Sequence, residues 1–222
     1  MCGRFVRSSS AETIAATFGV EIGDLPASYN IAPSQSVAAI WQLPDLDPQL
    51  RWLRWGLIPA WAKDPKIGYK LINARAETVA EKPLFRAAFW QRRCLIPADG
   101  FYEWEQVEGS RQKQPYFIGL QDERPFAFAG LYERWNSPDG ETIDTCTIVT
   151  TAANEVIAPI HDRMPVILAT QEYAQWLDPG VGGIDRLPAL LDPYPTAEMK
   201  IYPVSSLVNS PKNDSLACKS PE

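Results

Sequence analysis

The residue with the most chemistry to offer is Cys2. Its neighbour Met1 is removable when a residue this small follows, which would leave Cys2 as the N-terminus. An α-amine of pKa about 7.7–8.0 would then sit beside a thiol of pKa about 8.5. Both nucleophiles have a usable reactive fraction at neutral pH. Such a 1,2-aminothiol condenses with an aldehyde to an imine, which the thiol closes into a five-membered thiazolidine. Position alone leaves a plainer reading open, in which Cys2 is an N-terminal residue without consequence.

Four further segments hold groups suited to proton transfer, phosphate binding or stacking. Glu103, in Gly100-Phe101-Tyr102-Glu103-Trp104, is a carboxylate among three aromatics. Desolvation there raises a carboxyl pKa and fits the group for general acid–base work. The same pattern also describes a strand whose carboxylate faces water opposite an aromatic face. His161 is the only histidine, in Ile160-His161-Asp162-Arg163-Met164-Pro165. A side chain titrating near neutrality beside Asp and Arg suits a proton shuttle, although a lone histidine also serves as a structural residue. In Asn73-Ala74-Arg75-Ala76-Glu77, strand alternation puts Asn73, Arg75 and Glu77 on one face. An amide there orients a substrate and a guanidinium holds phosphate, or the face carries only an Arg–Glu surface pair. The apolar Trp55-Gly56-Leu57-Ile58-Pro59-Ala60-Trp61 loop would stack on bases if exposed and join the core if buried.

The elements that must position these groups are short. Ser9-Ser10-Ala11-Glu12 reads as a capping box opening a helix that Gly19 ends. Pro83 suits the first position of a helix carrying Leu84, Phe85, Ala88 and Phe89, and 171–177 reads as helical. Strands are expected at 37–41, 51–55, 94–96, 101–104, 116–120, 126–132, 145–151, 165–168 and 199–204. The alternation breaks at Trp52-Leu53, which suggests a bulge or a strand buried on both faces. Gln121-Asp122-Glu123-Arg124 reads as a hairpin-like turn. Strands outnumber helices without alternating with them, so the class is α+β. The expectation is a single domain over 1–222 with a mainly antiparallel, β-rich, barrel-like core and short flanking helices. The polar stretch 211–222 is expected to be a loose tail.

Composition bounds the function classes. Among 222 residues, 45% are apolar and 22% charged, the balance of an ordinary globular protein. Twenty prolines argue against long helices or a regular repeat. No apolar run reaches the length of a membrane span, and no secretory signal opens the chain. The four cysteines form no CxxC pair, and one histidine cannot complete a zinc set. A reduced, cytoplasmic protein without metal or cofactor, monomeric and away from membranes, is the expectation. The net charge of −6 is unlike that of a typical nucleic-acid binder.

Six ordered segments carry a resemblance: Met1-Cys2-Gly3-Arg4-Phe5, Tyr29-Asn30-Ile31-Ala32-Pro33, the 55–61 loop, Asn73-Ala74-Arg75-Ala76-Glu77-Thr78, 94–104, and His161-Asp162-Arg163-Met164-Pro165. Together they resemble the SOS response-associated peptidase (SRAP) proteins, also called abasic site processing proteins. The resemblance implies an α+β domain with a groove for single-stranded DNA, and a thiazolidine crosslink from Cys2 to the aldehyde of an abasic deoxyribose. It gives Asn73 the orienting role, Glu103 sugar-ring opening and proton handling, and His161 acid–base work in forming or reversing the link. It implies self-catalysed loss of Met1. Arg4, Arg75 and Arg163 fall where the family contacts phosphates, Asn30 and Pro33 where it lines the groove, and Trp61 beside the DNA. Relatives can carry a second Trp where this chain has Ala62. A covalent product needs only a transient encounter, so a few clustered arginines suffice on an acidic protein.

Two other classes compete. An N-terminal-nucleophile hydrolase of the glutaminase type also begins Cys-Gly, with the amine as base and the thiol forming an acyl-enzyme. The other segments that bind glutamine in such enzymes are missing. A passive single-strand binder would need only phosphate contacts and stacking.

Overall fold

The computed structural model describes residues 2–180 and 184–222. One sheet is ordered β13 (Met199–Pro203), β8 (Lys113–Leu120), β7 (Gly100–Gln106), β1 (Phe5–Arg7), β2 (Ser28–Ile31). The other runs β11 (Arg163–Pro165), β10 (Thr142–Ala152), β4 (Gln49–Trp55), β3 (Ser36–Trp41), β6 (Arg93–Ala98), β9 (Phe126–Asn136), β12 (Ile167–Leu168). Because β10 also pairs with β9, the strands β10-β4-β3-β6-β9 close into a five-stranded barrel. Pairing is antiparallel except where β10 meets β4 and β5 (Asn73–Arg75) in parallel. The α+β class and barrel-like core expected from the strand-rich pattern are what the chain forms.

Strand alternation explains the long apolar runs. Along β9, Phe126, Phe128 and Tyr132 join the cluster that fills the barrel, while Ala127, Ala129 and Leu131 face the outer cluster. That outer cluster holds residues of α1 (Ala11–Phe18), α2 (Arg86–Gln91) and α3 (Tyr173–Leu177). A strand covered on both faces reads as continuously hydrophobic. The barrel cluster also takes in Phe5, Phe101, Ile118 and Leu120, so the second sheet packs on the barrel through β1, β7 and β8, of which β7 carries Glu103.

The passage between sheets is a one-residue corner at Asp99. Its N–H donates to the Val6 carbonyl (2.8 Å), and its carboxylate accepts the backbone N–H groups of Ser8 and Ser9. A Cβ on Gly100 would lie 2.7 Å from the Ile118 carbonyl oxygen, so only glycine lets β7 leave the corner against β8.

Several local expectations change. The 121–124 turn makes no hairpin: β8 and β9 belong to different sheets, and the turn crosses between them. Register along β3–β4 is regular, without a bulge; Trp52 stands out on the surface and Leu53 faces in. The Ser10 cap is a single bond from Thr13 N–H, because Thr13, not an acid, occupies the reciprocal position; Gly19 closes α1 at φ 65°. Leu84 and Phe85 lie in a turn before α2. The 165–168 strand splits in two, with Val166 N–H bonded to Val149 O between the halves. The stretch after Pro211 is tied down rather than loose. Asp214 accepts from Tyr29 N–H and Ser28 Oγ, Cys218 is buried, and Glu222 N–H reaches Pro203 O.

Candidate active site

Cys2 lies three residues before the start of β1 and is fully buried. Its carbonyl oxygen accepts a hydrogen bond from Asn73 Nδ2 at 2.8 Å. Asn73 opens β5, whose register on β10 pairs it with Ile148. The carbonyl of the preceding Ile72 accepts from Ile148 N–H (3.1 Å) and from the Trp55 indole N–H (2.8 Å). Asn73 Oδ1 is buried and has no hydrogen-bond partner among the described residues.

Glu103 sits on β7 and is 3% exposed, which decides its reading: the carboxylate faces inward. Burial raises its pKa, and the nearby His161 charge opposes that rise. Burial also pushes the Cys2 thiol up, and the negative charge of Glu103 adds to the effect. His161 Nδ1 lies 3.0 Å from the Arg163 backbone N–H and 2.9 Å from Asp162 Oδ1. The backbone N–H can only donate, so Nδ1 acts as acceptor toward it in the neutral ring. Residues far apart in sequence thus meet: Asn73 bonds the Cys2 carbonyl, and Glu103 lies within electrostatic reach of both Cys2 and His161.

The candidates for DNA contact divide. Arg75 is exposed at the end of β5, two residues from Asn73. That strand stops before Glu77, which lies in the following turn. The Arg–Glu pair that forms is Arg163 with Glu77 (Nη2–Oε2 3.0 Å), with Arg163 also donating to Thr150 O (2.6 Å). Arg4 Nη1 donates to Asn30 Oδ1 (2.8 Å) and Val208 O (2.7 Å), and its guanidinium covers the Trp104 ring. Asn30 is buried, its Nδ2 donating to the carbonyls of Val208, Ser210 and Asn213. Pro33 is half-buried in a turn continued by Ser34 at φ 72°. Trp61 is 62% exposed, while Ala62 packs with Ile58 and Trp135. Lys63, Lys66 and Lys70 line the same depression as Trp61, a cationic group that three lysines within eight residues already signalled.

Among the described residues, no group of three or more His, Cys, Asp or Glu is arranged to hold a metal. No helix is long and apolar enough to cross a membrane.

A β-barrel flanked by a second sheet thus brings the Asn73 amide onto the Cys2 carbonyl, with the buried Glu103 in electrostatic reach of the Cys2 thiol. Residues 1–211 match the family model described as SOS response associated peptidase (SRAP), and the chain belongs to that family. It is 51% identical over 219 residues to the abasic site processing protein YoqW of Bacillus subtilis, covering 97% of each chain. It is 35% identical to the abasic site processing protein HMCES of Xenopus tropicalis, covering 86% of this chain and 65% of the relative. A crystal structure of a Bacteroides thetaiotaomicron protein superposes with TM-score 0.89 at 29% identity, covering all of both chains.

Proposed function

We propose that this protein processes abasic sites in single-stranded DNA by covalent capture on Cys2 after Met1 is hydrolysed off. The observation that carries the reading is the hydrogen bond from Asn73 Nδ2 to the Cys2 carbonyl beside a buried Glu103. Relatives named abasic site processing proteins support it.

An abasic deoxyribose is mostly a closed hemiacetal, and only its open aldehyde reacts. Glu103, holding its proton to higher pH than an exposed carboxyl because it is buried, protonates the ring oxygen as the ring opens. The free α-amine of Cys2 adds to the aldehyde carbon, and loss of water gives the imine. The thiol then adds to that carbon, its proton passing through Glu103 or His161 to the nitrogen. The product is a thiazolidine of nitrogen, two cysteine carbons, sulfur and the sugar carbon. The buried thiol is held neutral, so a neighbouring base is required for this closing step. Asn73 fixes the residue by its carbonyl, and its buried Oδ1 is the acceptor for the freed amine. Arg75 and the Trp61 lysine cluster supply the phosphate contacts, while the Arg4–Asn30 bond braces the segment between Cys2 and β1. The peptidase activity is the single hydrolysis that frees the amine, and lyase-type chemistry is what the imine does when closure fails.

Cys2→Ala separates the steps. Its amine should still form an imine trappable by borohydride, and without closure β-elimination should cleave the strand where wild type leaves a lasting adduct. Abasic single-stranded DNA on a denaturing gel, with and without borohydride, reads this directly. A heat-stable adduct from Cys2→Ala without reductant would mean another residue makes the bond. Wild type giving neither adduct nor cleavage would return the case to a hydrolase, checked by ammonia release from glutamine, or to a passive binder.

A further inference from the structure

We infer that Trp55 is the positioning residue that sets the Asn73–Cys2 contact, an inference that rests on the proposed covalent capture. Its side chain is fully buried, and it links three segments that converge on the site. The indole Nε1 donates to Ile72 O at 2.8 Å, holding the peptide that leads into Asn73. The ring meets Phe5 edge-on at 5.3 Å, packing against the first residue of β1, three residues after Cys2. Its backbone accepts from Ser34 N–H (2.8 Å) and donates to Gln35 O (2.9 Å), which shapes the turn containing Pro33.

This geometry does more than fill space. Ile72 lies on the route by which β5 reaches β10, and Asn73 is the first residue of that three-residue strand. So short a strand has few ladder bonds to set its height along β10. Two donors on one carbonyl, Ile148 N–H and the Trp55 indole, fix where the Asn73 amide projects. The same ring packs against Phe5, three residues after Cys2, so one rigid ring bears on both the segment that carries Cys2 and the peptide that leads into Asn73. A buried indole N–H needs a partner, and here that need is met at the site's edge.

The test isolates the N–H from the ring. Trp55→Phe keeps an aromatic in place and removes the donor. Single-turnover crosslinking to abasic single-stranded DNA should slow about five- to tenfold, the effect of one hydrogen bond felt in the transition state. Binding to DNA carrying a tetrahydrofuran analogue, which has no aldehyde, should stay unchanged. In an Asn73→Ala background the Trp55→Phe change should have no further effect on rate, because it acts through Asn73. Should Trp55→Phe not fold, 3-benzothienylalanine at position 55 keeps the bicyclic shape without the N–H and should be slow, while 5-fluorotryptophan keeps the N–H and should react like wild type. Equal rates for these two analogues, or additive effects of Trp55→Phe and Asn73→Ala, would overturn the assignment. Wild type failing to crosslink would instead overturn the covalent-capture reading itself.

Discussion

Asn73→Ala is the sharpest probe of the site. The substitution removes the 2.8 Å donor to the Cys2 carbonyl and the buried Oδ1 beside it. A hydrogen bond of this kind contributes about 1 kcal/mol net, and stranding a buried carbonyl costs about 1–3 kcal/mol. If both Asn73 atoms act on the reacting residue, about 1.4–2.8 kcal/mol is lost from the transition state, or about ten- to hundredfold in rate. Asn73→Asp should be at least as slow, since it turns a carboxylate oxygen toward the carbonyl and adds charge near Glu103. The assay is single-turnover adduct formation on an abasic oligonucleotide with processed protein, alongside affinity for the tetrahydrofuran analogue and intact mass to verify loss of Met1. A wild-type rate for processed Asn73→Ala would refute the orienting role. A rate loss matched by an equal loss of affinity would make Asn73 a DNA-binding residue instead.

Glu103 carries a stability cost whose sign is fixed by its burial. Its folded pKa is raised, so the folded chain binds that proton more tightly than the unfolded chain, and stability falls as pH rises from the ordinary carboxyl range through the raised value. Glu103→Gln should therefore raise Tm relative to wild type more at pH 7 than at pH 4 while slowing capture; a Tm difference that does not change with pH would contradict it. Asn30→Ala removes three donor contacts to the C-terminal segment and the acceptor for Arg4. The amide has two hydrogens to share among those contacts, so with the Arg4 bond about three bonds are lost, or about 3 kcal/mol at about 1 kcal/mol each, read as a lower denaturation midpoint and early proteolysis within 205–222. Unchanged protection of that segment would show that Asn30 does not anchor it.

Much of this protein was readable from residue order. The α+β class follows from many short apolar runs that do not alternate with helices. A cysteine at position 2 makes an aminothiol available once its amine is free, and the six ordered segments around it carry the family resemblance. The Ser10 and Gly19 caps of α1 act within one turn of chain, so local pattern suffices for them. Where partners lie far apart in sequence, only the fold decided. Glu103 faces inward because β7 is covered by the barrel on one side and by the C-terminal segment on the other, a choice alternation alone leaves open. Arg163 and Glu77, separated by 86 positions, pair because β11 and the turn after β5 both flank β10. Asn30 and Arg4 stand where the family motif points to DNA, and only the fold shows that their polar atoms also meet carbonyls more than 170 residues away. The 121–124 turn misled for the same reason. A turn's residues specify a reversal of direction, but which strand each arm pairs with depends on where the other strands already lie.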